Sequence, residues 1–119
     1  ASMMNEYKDY QPRIHEIHHT GKKDEPSGTA ITAAEGILKA YPALDGWTMD
    51  SESKGLTISA ERMDPYFGTH IVSYDSSIDT IELKHEAHSR VGFALGAVIA
   101  AEWLPGKKGP HNMKDVLGL

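Results

Sequence analysis

Residues 13–19 read RIHEIHH, in which Ile14 and Ile17 fall on opposite sides of an extended backbone, so the pattern predicts a strand partly buried on both faces. Residues 20–29 hold Gly, Pro, Ser and charge, the chemistry of a loop. Over residues 29–41, Ile31, Ala34, Ile37, Leu38 and Tyr41 recur near helical spacing, and Pro42 marks the stop. The polar residues 42–55, punctuated by Asp45-Gly46 and Lys54-Gly55, predict another loop. Alternation returns over residues 56–63, 69–75 and 80–88. It is cleanest in the last, where Ile81, Leu83, His85 and Ala87 share one face and Thr80, Glu82, Lys84, Glu86 and His88 the other. Short turns between these strands predict an antiparallel meander. Ser89 then suits the N-cap of a helix over residues 90–104, with Phe93, Ala94, Ala97, Val98, Ala101 and Leu104 on one broad apolar face and Pro105-Gly106 as its end. A short last helix includes residues 113–117. The order β-α-β-β-β-α predicts an α+β fold: a mixed or antiparallel sheet of about four strands with helices packed on one face.

Composition narrows the setting. A chain of 119 residues, 39% hydrophobic and 24% charged, suits one folded domain spanning residues 1–119. A formal charge of −5 argues against a general affinity for nucleic acid or anionic membrane, so an anionic ligand has to be attracted locally. Without cysteine there are no disulfides and no thiol nucleophile, which fits a cytoplasmic protein. No run approaches the roughly 18 apolar residues of a membrane span, and the opening ASMMNEYKDY lacks the apolar core of a signal peptide. Ala1 and Ser2 ahead of Met3 suggest a piece cut from a longer chain.

The densest chemistry lies in His18 to Ala30, HHTGKKDEPSGTA. Ser27-Gly28-Thr29 entering a helix offers N–H groups without intrahelical partners at the positive end of the dipole, a ready anion site. Gly28 lets a ligand approach the backbone, and the hydroxyls of Ser27 and Thr29 can bond a carboxylate or phosphate. Lys22 adds a point charge, while His18 and His19 can exchange protons near neutral pH. Each element singly also suits plain capping or surface decoration; their combination within one short stretch favours a site. A zinc site fits less well. There is no HExxH, and His18 and His19, like His85 and His88, point to opposite faces of a strand, so no metal is expected.

These residues resemble the dihydrodipicolinate reductase family of bacterial lysine and diaminopimelate biosynthesis. The likeness rests on the paired histidines, the lysine three residues after the second, and Pro-Ser-Gly-Thr-Ala. A second block supports it, with Gly68, His70, Glu82, His85, Arg90, Phe93, Ala94, Gly96 and Ala97 in the expected places, followed by the tail MKDVLGL. Charged Lys23 and Glu25 and the turn Asp64-Pro65-Tyr66-Phe67-Gly68 depart from the family's pattern.

The resemblance implies a substrate-binding and oligomerisation half of a two-domain reductase. Residues 13–88 would form its core, and residues 89–119 would return toward a Rossmann domain whose GxGxxG fingerprint this chain lacks. It implies His18 as the acid that protonates the substrate, with Lys22 assisting. His19, Ser27, Gly28 and Thr29 would bind a cyclic dicarboxylate, and Arg90 would face the cofactor. NADH or NADPH would serve the full-length enzyme, with none bound by this chain alone, which is expected to be inactive; the family's homotetramer is the implied assembly. Two rival readings are an assembly module with no ligand role and a small anion-binding or lyase-like domain working without a nucleotide.

Overall fold

The computed structural model describes residues 1–119 and divides into two compact units, residues 1–87 and residues 88–119. In the first unit a short helix α1 (Ser2–Asn5) precedes strand β1 (Gln11–His18), helix α2 (Gly28–Leu38) and strands β2 (Trp47–Thr48), β3 (Leu56–Arg62), β4 (Thr69–Asp75) and β5 (Thr80–Glu86). The strands form one mixed sheet in the order β2-β3-β1-β4-β5. The α+β class and mixed sheet agree with the expectation from sequence.

Strand order does not follow it. β1 lies at the centre, parallel to β3 and antiparallel to β4, so only β4 and β5 form the expected hairpin and the three-strand meander is broken. Alternation tells which side chains share a face but carries no information on which strand a neighbour will be. The parallel β1–β3 pair needs a crossover, and the segment containing α2 supplies it. Residues 63–68 then carry the chain across the end of β1, where the Met63 N–H donates to the His18 carbonyl at 2.8 Å. The fifth strand, β2, lies inside the expected loop 42–55 and pairs Trp47 with Leu56 and Thr48 with Thr57, too short a run to leave an alternation signal.

α2 buries Ala30, Ala34 and Ile37, and Tyr41 continues this stripe just past the helix. The fully buried alanines have no bulk to hold the helix backbone away from the sheet. With Met4, Ile14, Leu56, Ile58 and Tyr74 these residues make the core. On the core face of the sheet, one row of register partners is Ile58, Ile14, Val72 and Leu83. The next row on that face is Ala60, Glu16, His70 and His85, so a single step of the pleat turns an apolar surface into an ionisable one. The other face is polar, with Arg13 on Asp75 at 2.6 Å and His15 Nδ1 on Ser59 Oγ at 2.8 Å. β5 is exposed along its whole length, its apolar Ile81 and Leu83 included.

The second unit holds helices α3 (Val91–Trp103) and α4 (Met113–Leu117). Arg90 occupies the N-cap of α3 rather than Ser89, whose hydroxyl still accepts from the Val91 N–H at 3.3 Å. α4 opens with a reciprocal cap: Asn112 Oδ1 accepts from the Lys114 N–H at 2.8 Å and the Asp115 carboxylate accepts from the Asn112 N–H at 2.7 Å. The Trp103 ring stands edge-on to His111 and beneath the Lys107 ammonium at 4.1 Å. No residue of α3 is buried, and Val91, Phe93, Leu95 and Val98 expose more than half their surface. No helix is long and apolar enough to cross a membrane.

Ile58→Ala removes buried atoms from the centre of the core and is expected to cost about 2–5 kcal/mol, whereas Ile78→Ser in the exposed hairpin turn costs less than about 0.5 kcal/mol. Urea denaturation of the two variants beside the parent chain checks the contrast.

Candidate active site

Glu16 is fully buried, and four segments meet on its carboxylate. The Ser27 N–H donates to both oxygens at 3.1 and 3.2 Å, and the Ser27 hydroxyl donates to Oε2 through a very short bond. From the end of β3 the Arg62 guanidinium reaches Oε1 at 3.2 Å. His18 Nδ1 stands 3.8 Å from Oε1 and His70 Nε2 3.6 Å from Oε2. Burial pushes the Glu16 carboxyl up, but the Ser27 hydroxyl and N–H, the charge of His18 and the Arg62 guanidinium together hold it below the ordinary carboxylate range. Glu16 is therefore an anion at neutral pH.

Ser27 is fully engaged. Its one O–H goes to Glu16, and its oxygen accepts from the Ala30 N–H at 3.2 Å as the N-cap of α2. His70 Nε2, 3.1 Å from the same oxygen, must then carry the hydrogen of that contact. Ser27 is only 3% exposed and anchors the turn from beneath; the N–H groups of Gly28 and Thr29 have no acceptor within the chain, and both residues are exposed. A Cβ added at Gly28 would meet nothing within 4 Å, so the space beside this backbone is open.

Arg62 also shapes the loop that carries Lys22. Its Nε donates to the Lys22 carbonyl at 3.3 Å and its Nη2 to the Asp24 carbonyl at 2.7 Å. The Lys22 ammonium bonds both Asp24 oxygens at 2.8 and 2.7 Å, which holds the Asp24 carboxyl below its usual range. Thr20 ties the start of the loop to Asp64 at 2.7 Å. The His19 carbonyl accepts from the Lys22 N–H at 3.1 Å, and a Cβ at Gly21 would lie 3.2 Å from His19 Nδ1, so glycine fits under that ring.

His18 is 6% exposed and packs edge-on against His70, with ring centroids 5.0 Å apart. Burial pushes the His18 imidazole down from its ordinary value; Glu16 opposes this, and the charges of His70, Lys22 and Arg62 add to the fall. His70 is lowered in the same way, by burial first, against the pull of Glu16. The donor atoms of Glu16, His18 and His70 lie within 4.8 Å of one another. Because Ser27 and the Arg62 cation already engage the carboxylate, these residues form a charged hub and are a poor donor set for a metal.

The fold thus links His18, Lys22 and the α2 entry through Glu16, Ser27 and Arg62. Arg90 lies in the other unit, exposed at the start of α3. Sequence reasoning gave no role to Glu16 or Arg62 and named His70 only within a motif. Glu16 could have been found, because it shares the alternating face of Ile14 and His18; Arg62 reaches the hub only through the β1–β3 register, which pairs it with His18.

Comparison with known proteins sets this geometry in a family. The family model "Dihydrodipicolinate reductase, C-terminus" matches residues 1–117. A 4-hydroxy-tetrahydrodipicolinate reductase of Christiangramia forsetii is 52% identical over 98% of this chain and 49% of its own length. One of Methanosarcina barkeri is 44% identical over 93% of this chain and 44% of its own length. In fold the chain resembles the dipicolinate-bound dihydrodipicolinate reductase from Paenisporosarcina sp. TG-14, with a TM-score of 0.65 at 23% identity, over 87% of this chain and 42% of that one. The chain spans about half the length of the curated relatives it matches. With nearly every residue covered by the family model, the chain belongs to the dihydrodipicolinate reductase C-terminal family.

Proposed function

We propose that this chain is the substrate-binding half of a cytoplasmic, nicotinamide-dependent reductase that converts 4-hydroxy-tetrahydrodipicolinate to tetrahydrodipicolinate in lysine and diaminopimelate biosynthesis. The observation that carries the reading is the linkage of His18, Lys22 and the free N–H groups of Gly28 and Thr29 through one buried carboxylate. A cyclic dicarboxylate needs anion contacts and a proton source, and these residues supply both.

In this reading Gly28 and Thr29 hold one ligand carboxylate at the start of α2, with Ser27 fixing the turn beneath them. His19 and Lys22 contact the ligand from the loop, Lys22 exchanging Asp24 for the incoming anion. His18 is the proton donor to the ring. The residues for NADH or NADPH belong to the rest of the reductase, since a dinucleotide cradle of the GxGxxG type is not among these 119 residues; Arg90 is the residue of this chain assigned toward the cofactor. The uncovered Ile81 and Leu83 of β5 support assembly as a homotetramer.

In the full-length reductase, His18→Ala and Lys22→Ala should each lower kcat by about 10²–10⁴, the value of a positioned acid or charge, with a much smaller effect on stability. Steady-state kinetics beside thermal unfolding checks this, and near-normal turnover in both variants would remove the loop from the chemistry.

Titration of the chain with pyridine-2,6-dicarboxylate should perturb the amide signals of residues 27–29, weakly and less as salt rises. The open space at Gly28 suits Gly28→Val as a block, because an added Cβ meets nothing within 4 Å and the branched side chain then stands in the ligand's approach. Identical responses in both proteins would mean that the turn is a helix cap alone.

Fluorescence titration of the chain with NADH and NADPH should detect no binding of either. Tight binding would contradict the assignment of the cofactor to the rest of the reductase.

A further inference from the structure

Glu16 is the only buried carboxylate of the chain, and neither ligand binding nor proton donation uses it directly. The Ser27 hydroxyl and N–H, with Arg62, are its hydrogen-bond donors and hold it ionised. They do not account for the histidine beside it. His18 Nδ1 is buried and has no hydrogen-bond partner, and it lies 3.8 Å from Oε1, roughly 0.6 Å beyond the upper end of hydrogen-bonding distance. An unprotonated Nδ1 would set its lone pair against an anion, whereas a protonated one faces an acceptor. A neutral ring with its hydrogen on Nδ1 avoids that repulsion, and its Nε2 is then the atom that gains and loses the titrating proton.

We propose that Glu16 is a positioning residue that fixes His18 as its Nδ1–H tautomer and keeps the imidazolium available, so that Nε2 delivers the proton. This rests on the reading of His18 as the proton donor. The other charged or titratable groups facing His18 are His70 on β4, Arg62 at the end of β3 and Lys22 in the loop, and all three oppose a positive ring. His70 in turn faces His85 on β5. Glu16 is the one group in this set that favours the imidazolium, against burial and three cationic or basic neighbours.

The first measurement uses the unaltered chain. Nitrogen-detected NMR of His18 above its titration midpoint should give the pattern of a neutral ring protonated at Nδ1, and a ring protonated at Nε2 overturns the proposal. The second uses Glu16→Gln, which keeps the size of the side chain and removes its charge. The His18 midpoint should fall by about one unit, a tenfold loss of proton affinity, and Glu16→Asp should restore at least half of the shift. The basic limb of the full-length enzyme's kcat/KM profile should move the same way, because a donor is lost as pH rises through its pKa and Glu16→Gln lowers that pKa. An unmoved midpoint in folded Glu16→Gln overturns the proposal. If that variant does not fold, the tautomer in the parent chain decides. Pyridine-2,6-dicarboxylate titration of the same samples separates the two ideas: signals at residues 27–29 that still respond while the His18 midpoint stays fixed leave the ligand site standing and remove only the role of Glu16.

Discussion

The buried anion at Glu16 is the constraint on which the first unit's polar end depends. Taking a carboxylate out of water costs about several kcal/mol, and this cost is met only if strong donors are brought to it. Those donors are Ser27 at the start of α2 and Arg62 at the end of β3, while the histidines of β1 and β4 stand within 4 Å of the carboxylate without hydrogen-bonding it. Each has to be placed before the charge can be buried, so Glu16 ties a helix entry and three strands to one point. Ile14, two residues earlier on the same strand, does this by apolar contact, and Glu16 does it by charge.

A consequence follows for the loop between β1 and α2. Residues 20–27 contain few apolar anchors, yet their path is defined by Arg62 on the carbonyls of Lys22 and Asp24, by Asp64 on Thr20, and by Ser27 on Glu16. Side-chain bonds to backbone thus replace a hydrophobic core in this stretch. The donors at Gly28 and Thr29 are left over because Ser27, which could compete for a ligand, is already committed. The backbone there is open because its neighbour is closed.

Much of this was legible in the sequence, and the parts that were not have physical reasons. The strand over residues 69–75 and the helix over residues 113–117 match their expected bounds, the strand through its alternation and the helix with Asn112 and Gly118 at its two ends. The place of β1 between β3 and β4 was not legible, since pairing partners depend on contacts far apart in sequence. β2 was missed because two residues carry no periodicity. In the site, the histidines, the lysine and the Ser-Gly-Thr turn were visible as one local motif. Glu16 carries no signal of its own there, because Ile14 and Ile17 mark both faces of the strand and the run Ile14, Glu16, His18 is set apart only by its burial. Arg62 lies 46 residues from Glu16 in sequence and only 3.2 Å away in space, a proximity that register alone creates.

The two cation–carboxylate pairs near the site differ in a way that suits a protein whose net charge is −5 but whose proposed ligand is a dianion. Arg62 on Glu16 is shielded from water, and removing either partner strands the other, so this pair is fixed architecture. Lys22 on Asp24 stands at the surface, where such a pair is worth about 0–1 kcal/mol. Asp24 can therefore hold the ammonium in place at little cost and give it up to a second carboxylate at little cost. A dicarboxylate that exchanges with Asp24 gains a cation whose position is already set, while Arg62, neutralised by Glu16, adds shape to the loop and little net field. Separating the pair that builds from the pair that exchanges lets one short loop be rigid in its backbone and available in its charge.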